Sequence, residues 1–123
     1  MLKEWNQGKW VFKDVYNFGY PYYHVHPYKQ KAVKYIVDNF KFTADYLIIF
    51  GSSVQTWHKW WKDLDICVIS ASKNSVEAIS SGLEIKNDIL WYESLAVLTD
   101  VGDRKFGVRN QIIENGVMVH EKI

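Results

Sequence analysis

The stretch Ile48-Ile49-Phe50-Gly51-Ser52, followed after a gap by Lys62-Asp63-Leu64-Asp65-Ile66-Cys67-Val68-Ile69, decides how the chain is read. Each half carries a short, continuous apolar run of strand length, and the second is rich in β-branched residues. The first half ends in Gly51-Ser52, a turn signal. The second opens on Asp63-Leu64-Asp65. Side chains alternate along a strand, so Asp63 and Asp65 belong to one face. Two carboxylates held that close are costly unless a cation stands between them. Oxygen-only ligands at this spacing suit Mg²⁺ or Mn²⁺, which keep waters and take phosphate oxygens as further ligands. Gly51 lets a backbone approach a phosphate. The amides that follow, at Ser52 and Ser53, together with the Ser52 hydroxyl, are donors for phosphate oxygens at a helix N-terminus. The pattern predicts a metal–nucleotide site. A third carboxylate on a neighbouring strand would complete it as ligand or base. Asp88, opening the next strand, is the first choice and Glu93 the second.

Outward from this centre, strands and helices alternate. Residues 28–40 form a predicted helix behind Pro27, with Val33, Ile36, Val37 and Phe40 on one apolar face and Lys29, Lys31 and Lys34 turned to water. Strands are expected over 45–50, 64–70, 88–92 and 117–120. Further helices are expected over 75–81, closed by Gly82, over 93–98, and over 104–115 with Gly116 as its cap. Residues 54–61 read as a short helix passing into an aromatic loop. Residues 1–27 form an aromatic N-terminal arm, with a short strand or hairpin arm over 9–15, and residues 28–123 form the domain proper. The expectation is an α+β fold with a mixed central sheet and helices mainly on one face, in two layers.

Composition narrows the function. A chain of 123 residues argues for one domain, which buries about two thirds of its unfolded surface without a disulfide or structural metal. Lys and Arg number 15 against 14 Asp and Glu. A formal charge of +1 disfavours strong nucleic-acid binding through the phosphate backbone. Cys67 is alone, so no internal disulfide forms, and its place inside an apolar strand marks it as a core residue rather than a nucleophile. No signal-peptide core and no apolar run of membrane-spanning length occurs, so a cytoplasmic protein with no membrane association is expected.

The residues Ile49-Phe50-Gly51-Ser52 and Asp63-Leu64-Asp65-Ile66 resemble the active-site motif of the minimal nucleotidyltransferase domains, of the polymerase-beta-like nucleotidyltransferase superfamily. Ile112-Ile113-Glu114-Asn115-Gly116-Val117-Met118-Val119 is similar to their last helix and closing strand. The resemblance spans roughly residues 28–120 and implies the two-layer nucleotidyltransferase fold. It implies that Asp63 and Asp65 bind Mg²⁺ or Mn²⁺, that Gly51, Ser52 and Ser53 hold the triphosphate of ATP or another nucleoside triphosphate, and that a third acid, assigned to Asp88, joins the metals or activates the acceptor. The implied reaction moves a nucleoside monophosphate, AMP foremost, onto an acceptor and releases pyrophosphate. Many minimal members carry Arg-Ala-Arg-Gly after the Gly-Ser pair, where this chain has Ser53-Val54-Gln55-Thr56, and a Ser where it has Lys62.

Larger members bind the acceptor with a further domain. Here the acceptor site is expected from a homo-oligomer, from residues 1–27, or from a separate helical partner protein, as in minimal members that serve as antitoxins. Trp57, Trp60 and Trp61 are candidates for stacking on a base or docking a partner. His24 and His26 alternate without a third ligand nearby, which argues against a metal site there. The alternative function is a degenerate module of the same fold that acts in protein association.

Overall fold

The computed structural model describes residues 2–6, 9–13, 27–51, 63–100 and 107–121. In chain order its elements are β1 (Leu2–Asn6), β2 (Lys9–Lys13), α1 (Pro27–Phe40), β3 (Tyr46–Phe50), β4 (Leu64–Ile69), α2 (Asn74–Gly82), β5 (Asn87–Tyr92), α3 (Leu95–Thr99), α4 (Val108–Asn115) and β6 (Val117–Glu121). The first two strands pair antiparallel as a separate hairpin, and β1 runs beside α4. The other four form one sheet in the order β5-β4-β3-β6. Strand β3 is antiparallel to both neighbours, whereas β4 and β5 are parallel. A parallel pair needs a crossover, and α2 supplies it. The protein is thus α+β with a mixed, open, four-stranded sheet.

The apolar runs are continuous because both faces of the sheet are covered. Leu47 and Ile49 of β3 and Leu64, Ile66 and Val68 of β4 join Val33 and Ile36 of α1 and Ile79 of α2 in one core. The intervening residues, Ile48, Phe50, Cys67 and Ile69, face the other way and meet Leu98 of α3, Ile112 and Ile113 of α4, and Met118. Helices α1 and α2 therefore share one face, so the expectation of helices mainly on one side gives way to a pair on each. The short helices α3 and α4 close the other face.

Local signals explain where the helices stop and start. The Ser94 hydroxyl caps α3 by accepting from the Val97 amide at 3.3 Å. Gly116 follows α4 and its amide donates to the Ile112 carbonyl at 3.0 Å. Gly82 closes α2 as its last residue, with no left-handed backbone, and Leu83 leaves the helix in extended conformation. A Cβ there would stand 2.5 Å from the Tyr35 hydroxyl, the movable end of an exposed side chain. Cys67 is fully buried, and burial pushes its thiol up to about 12, as befits a core residue. Among the described residues no helix is long and apolar enough to cross a membrane.

Candidate functional site

Three strand ends meet where the two apolar halves of the decisive stretch were expected to come together. Strand β3 ends at Phe50, which pairs with Asp65, so Gly51 emerges beside that carboxylate. Gly51 has φ +67, in the left-handed region. A Cβ at this position would overlap the Asp65 carboxylate oxygen Oδ2, so both the backbone and the space demand glycine.

Asp65 pairs in register with Asp88 across the parallel β4–β5 ladder. Neighbouring strands lie about 4.8 Å apart, and paired residues share a face. Asp63, two residues before Asp65, follows the same alternation. All three acids thus belong to the face that carries Cys67, Ile69, Leu90 and Tyr92, and they stand at the end where β4 and β5 begin. Asp63 and Asp65 are half-buried and Asp88 is exposed at the rim. Glu93, the second choice, follows the far end of β5, with the strand between it and this cluster.

Asp65 records the electrostatics of the cluster. Burial pushes its carboxyl up from 3.8 to about 6, the charge of Asp88 pushes in the same direction, and Asp63 adds to it. The opposing influence is Lys29. This residue corrects the sequence reading, which turned it to water. It is 1% exposed, while Lys31 and Lys34 are exposed as expected. Its Nζ donates to the Asp63 backbone carbonyl at 3.1 Å. Burial lowers the pKa of the ammonium, and the charges of Asp65 and Asp63 work against that lowering. The signal was in the helix period. Lys29 precedes Val33, Ile36 and Phe40 by four, seven and eleven residues, which places it on their apolar stripe.

A hard divalent cation fits this set in kind, since Asp63, Asp65 and Asp88 offer only carboxylate oxygens and their mutual repulsion is what a cation would relieve. Among the described residues, however, no three His, Cys, Asp or Glu side chains are drawn together into a closed ligand set. The other expected phosphate-binding residues, Ser52 and Ser53, lie outside the described residues. So do Trp57, Trp60 and Trp61, Lys62, His24 and His26.

No protein-family model, curated protein or solved structure matches the chain.

Two outcomes follow from this geometry. Because the folded pKa of Asp65 lies above its ordinary value, the native state holds more protons than the unfolded state between about pH 4 and pH 6. Stability falls as pH rises through that window, and the loss is complete above it. In metal-free buffer with EDTA, Asp65→Asn is therefore expected to be more stable than wild type at about pH 7.5, with the gain gone near pH 3.5. Denaturant titration at the two pH values measures this, and an equal gain at both would contradict it. Gly51→Ala is expected to destabilise through overlap and backbone together. In the Asp65→Ala background the overlap disappears and only the left-handed backbone cost of about 1–2 kcal/mol remains. A double-mutant cycle showing no interaction energy would contradict the close approach.

Proposed function

We propose that the chain is a metal-dependent nucleotidyltransferase, which moves a nucleoside monophosphate from a nucleoside triphosphate, with ATP foremost, onto an acceptor and releases pyrophosphate. The sheet is then a nucleotidyltransferase fold. The observation that carries this reading is the in-register pair Asp65–Asp88, with Asp63 two residues upstream and an obligate glycine, Gly51, packed against Asp65.

In this reading Asp63 and Asp65 would hold Mg²⁺ or Mn²⁺, with Asp88 as third ligand or base. The bound cation would supply charge neutralisation on the triphosphate and polarise the phosphorus that is attacked. Asp65, with its carboxyl near 6, is ionised at neutral pH and able to ligate. Gly51 leaves room for phosphate oxygens beside the acids. Asp88, at the exposed rim, suits acceptance of the proton from an incoming hydroxyl, whose oxygen bonds to the α-phosphorus as the bond to pyrophosphate breaks. The protein's share of catalysis is positioning and electrostatics.

A second reading draws on two observations. Lys29 already brings positive charge to the aspartates, and no closed ligand set forms among the described residues. Both favour a degenerate module whose fold serves association with a helical partner protein or a second copy.

Calorimetric titration of Mg·ATP separates the two. The enzyme reading expects saturable binding to wild type that is lost with EDTA and in Asp63→Asn. No binding of any of the four common ribonucleoside triphosphates would overturn it in favour of the association module.

A further inference from the structure

Strand β5 lies at one edge of the sheet, in the order β5-β4-β3-β6. Its inner side is taken up by β4. The Leu64 amide donates to the Lys86 carbonyl at 2.9 Å, and the Ser70 amide to the Tyr92 carbonyl at 3.2 Å. The even-numbered residues of β5 therefore turn their main-chain groups to β4. The odd-numbered ones, Asn87, Ile89 and Trp91, turn theirs outward. Among the described residues no strand pairs with that outer side.

An open edge is a template for another strand, and monomeric proteins blunt it with proline, charge, a bulge or a cover. The two edges of this sheet differ in this respect. Strand β6 shifts register against β3 between Leu47 and Ile48, and its Val117, Met118 and Val119 are buried. Strand β5 runs Asn87-Asp88-Ile89-Leu90-Trp91-Tyr92, without proline, glycine or lysine, and keeps unbroken register with β4 along its whole length. Ile89 and Trp91 pack against one core and Leu90 and Tyr92 against the other, yet all four stay only half-buried. Apolar surface on both faces thus continues to the open edge.

The charges at the strand ends select the strand that fits. Lys86 precedes β5 and Glu93 follows it, and both are exposed. A second β5 laid antiparallel brings each Lys86 beside the opposite chain's Glu93, whereas a parallel one would set like charges together. A two-fold axis along the sheet normal keeps every residue on its own face, so one residue must stand opposite its own copy. At Asp88 that would oppose two carboxylates. At Leu90 it pairs Ile89 with the partner subunit's Trp91, a β-branched–aromatic contact, and Asp88 with the partner subunit's Tyr92. Lys86 and Glu93 then lie one position out of register at each end, within reach of one another.

We propose that β5 is a self-association edge. Two copies of the chain join their β5 strands antiparallel about Leu90 into one continuous sheet, four strands from each copy. The partner subunit's Tyr92 thereby stands at the rim of the acid cluster, opposite Asp88. The inference goes beyond the nucleotidyltransferase reading and depends on no bound metal or nucleotide.

A six-residue ladder is a small interface, so the dimer is expected to be reversible and to follow concentration. Analytical sedimentation and amide exchange of the full chain in low salt test it. Wild type is expected to pass from monomer to dimer as its concentration rises. The Ile89 and Trp91 amides are expected to gain protection over the same range, while those of Asp88, Leu90 and Tyr92, already turned to β4, change little. Lys86→Glu and Glu93→Lys each set like charges together at both ends of the ladder and leave the core untouched. Each is expected to weaken self-association roughly tenfold. An equimolar mixture of the two variants is expected to recover it, because both ends of the mixed dimer again join opposite charges. A chain still monomeric at about 0.5 mM overturns the proposal and leaves the edge to a strand of another protein. A dimer whose Ile89 and Trp91 amides gain no protection overturns it too, since the contact then lies elsewhere. Single reversals that leave the affinity unchanged, or a mixture no tighter than its components, overturn the antiparallel pairing.

Discussion

Phe50 faces Asp65 across the β3–β4 ladder, and that pairing brings the turn at Gly51 against a carboxylate. A Cβ there would collide with that carboxylate, and the left-handed backbone adds to the cost, so the residue after β3 favours glycine. It also fixes which face the acids occupy. With Phe50 opposite Asp65, alternation sends Asp63 and Asp65 to the side of α3 and α4, and the parallel pairing with β5 brings Asp88 to the same side. A slip of one residue in either ladder would turn the carboxylates into the core under α1 and α2.

The arrangement works against stability. Half-burying Asp65 beside two like charges holds its carboxyl near 6, so at neutral pH the fold carries an ionised group it would be better without. Burying the Lys29 ammonium beneath the same strand adds a desolvation cost that the nearby charges offset only in part. A core built for stability alone would place apolar residues at these positions, as the rest of β4 does with Leu64, Ile66 and Val68.

Much of this was legible from the residues. The runs at β3 and β4 announced buried strands because both their faces are covered, and period-two alternation grouped Asp63 with Asp65. Asp88 was legible only as an acid opening a later strand; its register with Asp65 depends on which strands become neighbours, a long-range outcome that no local pattern encodes. Lys29 was missed for a different reason. Lysine near a helix start reads as solvated by type, and its position on the stripe of Val33, Ile36 and Phe40 was the stronger signal. Gly82 was legible as the end of α2, which it closes.

The claim that most needs direct evidence is that the end of β4 is a metal–nucleotide site. Crystals grown with Mn²⁺ and a non-hydrolysable ATP analogue, measured at the manganese absorption edge, address it in one experiment. The account predicts an anomalous peak ligated by Asp63 and Asp65, with the triphosphate beside Gly51. Manganese and nucleotide bound elsewhere, or absent from this end of the sheet at saturating concentration, would contradict it.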